Sequence, residues 1–285
     1  MDTELARTFL TVVAAGNFVK AAERLFVTQS TVSSRIQSLE EQLGCRLFVR
    51  NKAGTTLTAA GRQFQKHAVN LMRTVEQARQ DVGVPRGYRA SLTIGARFGI
   101  WEDLLLRWLP VMRATQPDIA VVAEIGFSED LMLGLVDGRI DIGVMYTPQS
   151  RPGLHVEPLF EEELILVVTA TAAGAPAMGP NYVYIDWGAE FRARHSTYFP
   201  DFTGPGLTAN IGWLGLQHIL ACGGSGYFPR RVAAKHLATG QLQEVPEAPA
   251  FTLPAYLVYP AEHDREVFDP ALAQLREIAA EIAAS

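Results

Sequence analysis

A chain of 285 residues with 48% hydrophobic and 19% charged residues has an ordinary globular composition, which excludes a disordered chain and leaves room for two or three domains with cores of their own. No apolar run approaches the roughly 20 residues that cross a bilayer, and the first residues lack a basic segment followed by an apolar one, so neither a membrane span nor a secretory leader is expected. The net charge of −5 is uneven: residues 1–89 carry +6 and residues 90–285 carry −11, which points to a polyanionic partner for the first segment only.

Residues 4–14 read as a helix with Leu5, Phe9, Val12 and Val13 inward, stopped by Gly16 and Asn17. Asn17 then caps a short helix in which Phe18, Ala22 and Leu25 fall on one face. Thr28 is a suitable N-cap for the next helix. Along that helix Val32, Ile36, Leu39 and Leu43 form an apolar stripe, and Ser30, Ser33, Ser34 and Gln37 a polar one. A short helix, a turn and a helix with an uncharged hydrogen-bonding face is the layout of a helix-turn-helix DNA reader, whose second helix lies in the major groove. Two helices of any bundle share this spacing, and the following residues separate the two readings. Residues 44–58 read as two short strands around Lys52-Ala53-Gly54, with Arg46, Arg50 and Lys52 gathered as in a wing that touches phosphates. Gln29 suits a bidentate contact with adenine, and Ser30, Thr31, Ser33 and Ser34 can serve several bases. Arg35 lies off the central polar stripe and is expected on phosphate, with Arg50 and Lys52.

Further along, Ala60, Phe64, Ala68, Leu71, Val75, Ala78 and Val82 recur at steps of four and three. This heptad-like seam predicts a helix that pairs across a two-fold axis; packing on the chain's own C-terminal part is the alternative. Val84-Pro85-Arg86-Gly87 ends it as a hinge. Strands and helices then alternate: strand 92–96, helix 102–114, strand 119–125, helix 129–138 and strand 141–146. A second set follows: strands 164–169, 182–186 and 207–211, helix 214–222, strand 255–259 and a final helix 265–283. Such an order implies a mainly parallel sheet with right-handed crossovers. Residues 170–180 form a small-residue loop.

The run Ala21-Ala22-Glu23-Arg24-Leu25, then Thr28-Gln29-Ser30-Thr31-Val32-Ser33, Leu39-Glu40-Glu41-Gln42-Leu43-Gly44, Leu47-Phe48-Val49-Arg50 and Leu57-Thr58-Ala59-Ala60-Gly61 resembles the N-terminal domain of LysR-type transcriptional regulators. The two α/β sets resemble that family's effector-binding domain, a fold similar to periplasmic solute-binding proteins. The resemblance implies an α + α/β chain: a winged helix-turn-helix over 1–58, a linker helix and hinge over 59–87, one effector-binding lobe from 88–163 plus 260–285, and a second from 164–259. It also implies double-stranded DNA and a small-molecule effector as partners, a homodimer that assembles as a dimer of dimers on an inverted repeat, and a cytoplasmic location without cofactor.

In such sheets ligands sit outside the carboxyl ends of the strands, in the cleft between lobes. That rule selects Arg97, Phe98, Gly99, Phe127, Ser128, Tyr146 and Thr147 from the first set. From the second it selects Trp187, Gly188, Gly212 and Trp213, with Gly224 to Gly226 as further candidates. Arg97 departs from the small hydroxyl residue of many relatives. It reads either as a clamp for a carboxylate or as a salt bridge to Glu124 or Glu129. Trp101, Trp187 and Trp213 read either as stacking surfaces for an aromatic or heterocyclic ligand or as core, with Trp101 and Trp108 expected on helix contacts.

Enzyme chemistry has no motif to stand on. Gly223-Gly224-Ser225-Gly226 is not a nucleophile elbow, no phosphate-binding glycine loop occurs, and the six histidines have no partners at metal-ligand spacing. Cys45 and Cys222 are far apart in the sequence and read as small apolar residues in a reducing compartment. The alternative function, a solute-binding or sensor protein without a DNA role, would leave residues 18–58 without a purpose.

Overall fold

Capping residues set the helix boundaries at the N-terminal end of the chain. In a computed structural model, which describes residues 2–51, 54–172 and 177–283, Asp2 accepts the Glu4 N–H to start α1 (Thr3–Ala15), and Asn17 accepts the Val19 N–H to start α2 (Phe18–Arg24). Thr28 accepts the Thr31 N–H to start α3 (Gln29–Leu43). Gly44, at φ 68°, closes α3 in the left-handed region that glycine enters without steric cost, its N–H returning to Glu40 and Glu41. Between α2 and α3 the chain turns through Phe26, also left-handed at φ 54°. Strands β1 (Phe48–Asn51) and β2 (Gly54–Leu57) pair antiparallel, Phe48 opposite Leu57. The Lys52-Ala53 tip of the expected turn lies outside the described residues.

Thr58 caps α4 (Ala59–Gly83) by accepting the Gly61 N–H. A β-carbon on Gly61 would run into the Leu47 carbonyl, so only glycine lets α4 start this close to the wing. The expected seam over residues 60–82 divides along its length. Its first half turns Phe64, Ala68 and Met72, with Gln65 and Val69, into the chain's own core against α1. Leu71 and Val75 are half-buried, Ala78 is exposed, and Val82 is 91% exposed. Burial thus follows the helical period of 3.6 residues toward Met72, and the straight heptad line through Leu71 leaves the core.

The remainder forms, among the described residues, one nine-stranded sheet covered by helices. Strands β3 (Ala90–Ala96), β4 (Ile119–Ile125) and β5 (Ile142–Met145) are parallel, as expected. After β3 the chain is helical earlier than the sequence suggested: α5 (Phe98–Ile100) passes through one π-helical turn, Trp101–Leu105, into α6 (Leu106–Thr115). Helix α7 (Ser128–Asp137) packs on both α4 and the sheet. A long strand β6 (Leu154–Thr169) then crosses to the other half, ten residues longer at its start than residues 164–169.

That other half holds β7 (Tyr182–Ile185), α8 (Ala189–Tyr198), β8 (Leu207–Ala209), α9 (Gly212–Cys222), β9 (Ser225–Pro229), α10 (Arg230–Ala238) and β10 (Leu242–Glu244). The chain returns along β11 (Phe251–Pro260), antiparallel to β6 over ten residue pairs, and ends in α11 (Arg265–Ala283). The sheet order is β4-β3-β5-β11-β6-β9-β7-β8, with β10 beside β6. The sheet is mixed, a correction to the mainly parallel expectation. Each half is parallel within itself, but the crossing strands β6 and β11 run antiparallel to their neighbours. No described helix is long and apolar enough to cross a membrane.

Candidate functional site

Helix α3 is anchored on one side and open on the other. Val32, Ile36 and Leu39 are buried with Phe9, Phe18 and Phe48, whose rings meet at centroid distances of 5.1 to 5.8 Å. Leu43 departs from the expected stripe and is 40% exposed, because Gly44 turns the chain away at that point. On the opposite face Gln29, Ser30, Ser34 and Gln37 are exposed and Thr31 and Ser33 are half-buried. The Ser30 and Thr31 hydroxyls share hydrogen bonds with the Thr28 hydroxyl at 2.7 and 2.8 Å, which tightens the N-terminal turn. Gln29 is exposed at the first position of the helix, the end from which a recognition helix meets base edges.

A buried carboxylate joins this helix to the wing. Glu40 accepts the Leu47 N–H at 2.7 Å and the Phe48 N–H at 3.3 Å with one oxygen, and the Arg46 guanidinium at 2.9 Å with the other. These bonds satisfy the backbone at the entry to β1 and fix the wing relative to α3. The Thr55 N–H, donating to the Gly16 carbonyl at 3.0 Å, ties β2 to the end of α1.

The second site is the cleft between the two halves of the sheet. The carboxyl ends of β3, β4 and β5 face it from one side, those of β7, β8 and β9 from the other. It contains two chambers, a more enclosed one of about 280 Å³ that still opens to solvent past Ile125 and Trp213 and a more open one of about 400 Å³. Six residues border both: Arg97, Phe127, Asp130, Tyr146, Trp187 and Asn210. The enclosed chamber has aromatic walls, with Phe98 and Trp213 in ring contact at 5.8 Å. Arg97 donates to the Asn210 carbonyl at 3.2 Å and lies over the Phe127 ring, 4.8 Å from its centroid. No carboxylate among the described residues forms an ion pair with it. Burial pulls the Arg97 guanidinium below its usual range, against the opposing influence of Tyr146 and Asp186.

Comparison with known proteins decides between the readings. Residues 3–62 match the bacterial regulatory helix-turn-helix protein, lysR family, and residues 85–196 the LysR substrate binding domain, more than half of the chain together. The chain belongs to the LysR family of bacterial transcriptional regulators. HTH-type transcriptional regulator HdfR of Yersinia pestis (strain Pestoides F) is 29% identical over 276 residues, which is 93% of each chain. In fold the chain is similar to ArgP from Mycobacterium tuberculosis, with a TM-score of 0.58 at 23% identity over 98% of both chains. It is likewise similar to full-length CbnR in complex with its target DNA, with a TM-score of 0.51 at 20% identity over 98% of this chain and 100% of that one.

For this LysR-family protein the structure sorts the residues that the sequence singled out. Gln29, Ser30, Thr31, Ser33 and Ser34 share the open side of α3. Arg35 does not join them: it pairs with Glu4 at 2.9 Å and donates to the Thr8 hydroxyl at 3.4 Å, fastening α3 to α1. The Arg50 side chain and Lys52 lie outside the described residues. In the cleft, Arg97, Phe98, Gly99, Tyr146, Trp187 and Trp213 border the enclosed chamber, and Ser128 and Thr147 the open one. The salt bridge suggested for Arg97 is not formed. Glu124 pairs instead with Arg139 at 2.9 Å, and Glu129 with Arg24 at 3.8 Å. Two side chains have their polar atoms already engaged: the Trp187 N–H donates to the Tyr227 carbonyl and the Tyr146 hydroxyl to Glu162.

Gly224 to Gly226 do not border either chamber. They lie at the start of β9 (Gly224 just before it), which runs parallel to β7, so it is the other end of that strand, Phe228 and Pro229, that meets the cleft. Sequence reasoning missed these residues because it missed the strand; the apolar run Tyr227-Phe228-Pro229 after a glycine pair was the available signal. It also missed Asn210, whose carbonyl holds Arg97, and Asp130.

Proposed function

We propose that this LysR-type regulator reads an inverted repeat in double-stranded DNA as a cytoplasmic homodimer that assembles as a dimer of dimers. We further propose that a small carboxylate-bearing effector in the cleft shifts the arrangement of those dimers. The observation that carries the reading is the exposed polar side of α3, left open by a chain whose first lobe packs on α4 through α7 and β3 instead. The wing residues Arg50 and Lys52 take backbone phosphates, and Gln29, Ser30, Ser33 and Ser34 meet base edges. The exposed C-terminal half of α4, with Ala78 and Val82, supports pairing of two linker helices. The division into 1–58, 59–87, 88–163 plus 260–285, and 164–259 follows this assignment of roles. Arg97 is the effector clamp, because a half-buried guanidinium without a carboxylate gains most from an anionic ligand. An effector moves the equilibrium only by its differential affinity for the two arrangements.

The test is a gel shift on DNA flanking the gene of this protein, with salt titrated. Affinity is expected to fall steeply and log-linearly with salt, because binding releases phosphate counterions and added salt makes that release less favourable. Footprints are expected to span half-sites about one helical turn apart. Salt-insensitive binding, or no binding to any duplex, overturns the DNA-reading role.

A further inference from the structure

The charges around the cleft cancel in pairs, with two exceptions. Glu102 is met by Lys235 at 3.3 Å, Glu129 by Arg24, and Asp186 by Arg192 at 2.8 Å. Among the charged side chains that border the two chambers, only Arg97 and Asp130 form no ion pair within the described residues. One is a half-buried cation and the other an exposed anion, and both border both chambers. Asp130 lies in the first turn of α7, whose N-cap Phe127 offers no side-chain acceptor, so the helix N-terminus adds anion-favouring N–H groups beside Arg97. Beyond this junction the walls are apolar and aromatic: Phe98, Trp213, Trp187 and Phe228. At about 280 Å³ the enclosed chamber lies just below the roughly 300–1,000 Å³ that ligand pockets span, which favours a small ligand.

We propose that the effector is a zwitterion, an α-amino acid with an aromatic side chain. Its carboxylate pairs with Arg97, its ammonium with Asp130, and its ring fills the enclosed chamber between Phe98 and Trp187. The inference rests on the cleft being the effector site and adds the chemical class of the ligand. A plain aromatic acid would satisfy Arg97 and leave Asp130 as a second negative charge beside the bound carboxylate, which disfavours it. An amine without a carboxylate would place a cation beside a desolvated guanidinium.

Titration calorimetry on the full-length protein tests this with L-phenylalanine, L-tyrosine and L-tryptophan as probes. The controls are 3-phenylpropanoate, which lacks the ammonium, phenethylamine, which lacks the carboxylate, and L-alanine, which lacks the ring. At least one aromatic amino acid is expected to bind tenfold or more tightly than each control. Asp130→Asn is expected to abolish the preference for that amino acid over 3-phenylpropanoate, and Arg97→Met to weaken both, with DNA binding in the absence of ligand retained as the check on folding. Equal binding of 3-phenylpropanoate and the amino acid, still dependent on Arg97, overturns the zwitterion and leaves the cleft as the effector site. An Asp130→Asn variant with unchanged ligand preference also overturns it, since Asp130 then serves only the helix terminus. Failure of all three amino acids overturns it as well. A ligand whose affinity ignores both Arg97→Met and Trp213→Ala overturns the cleft reading itself.

Discussion

Arg231, the second residue of α10, donates through Nε to both carboxylate oxygens of Glu162 on β6, at 2.8 and 3.0 Å. The same guanidinium donates to the Gly99 carbonyl and pairs with Asp103, while Glu162, only 3% exposed, also accepts the Tyr146 hydroxyl. Tyr146 and Gly99 border the enclosed chamber, so this cluster connects the lining of the cleft to a helix of the opposite half. Breaking a buried pair from one side leaves an uncompensated charge, which costs more than the pair itself contributes. Arg231→Met is expected to lower unfolding free energy by about 3 kcal/mol, measured by urea denaturation. The further change Glu162→Gln should recover part of that loss, because it removes the orphaned charge.

Asp141 sits where α4 meets the sheet, its carboxylate accepting the Thr93 N–H at 2.8 Å. Burial pushes its pKa from 3.8 to about 7, with the Thr93 bond and Arg73 opposing and Glu76 reinforcing. Burial likewise pushes Asp137 up to about 6. Between pH 4 and 7 the native state therefore binds more protons than the unfolded chain, so stability falls as pH rises through this window. The loss is complete above the folded pKa. Asp141→Asn keeps an acceptor for Thr93 and cannot ionise. It is expected to remove roughly 2–3 kcal/mol of the stability difference between pH 5 and pH 8, read from denaturation curves at the two pH values.

Glu40 is expected to matter to DNA binding without touching DNA. Glu40→Ala leaves the Leu47 and Phe48 N–H groups without their buried acceptor, at a cost of about 2 kcal/mol. It also frees the wing from α3. Affinity for every duplex should fall together, with the order of base preferences unchanged.

Arg35→Ala separates a structural from a phosphate-binding role. The Arg35–Glu4 pair is partly exposed, so its loss should cost less than about 1 kcal/mol of stability. The slope of log affinity against log salt should not change. A slope shallower by about one would place Arg35 on phosphate after all.

Phe26 holds a left-handed backbone, unfavourable for a residue with a β-carbon, while 95% of its surface faces solvent. Phe26→Asn should therefore raise stability, by up to about 1 kcal/mol, seen as a higher Tm without loss of DNA binding.

The helix-turn-helix was legible because its signals are local. Asn17, Thr28 and Gly44 cap helices through backbone groups a few residues away, and the buried faces of α1 and α3 repeat at the helical period. The final helix was legible for the same reason, residues 265–283 coinciding with α11. Four elements were missed: α8, which has almost no amphipathic pattern, β9, a five-residue strand buried throughout, the three-residue β10, and α10, whose Val232 and Ala233 face the core although the helix follows β9 directly at Pro229. The ends of the recognised parallel strands β3, β4, β5, β7 and β8 border the cleft, whereas those of the antiparallel crossing strands β6 and β11 do not.

The sequence by itself determined the open polar face of α3, the charge asymmetry and the alternation that builds an α/β body, since each is written in the local order of residues. Only the tertiary structure decided which charges were spoken for. Arg35 turned to Glu4, Glu124 and Glu129 to other arginines, Glu162 to an arginine 69 positions away, and Arg97 and Asp130 to no ionic partner among the described residues. The reason is physical. Coulombic pairing and desolvation depend on distance and burial after the crossing strands have brought remote segments together, and those quantities have no periodicity along the chain.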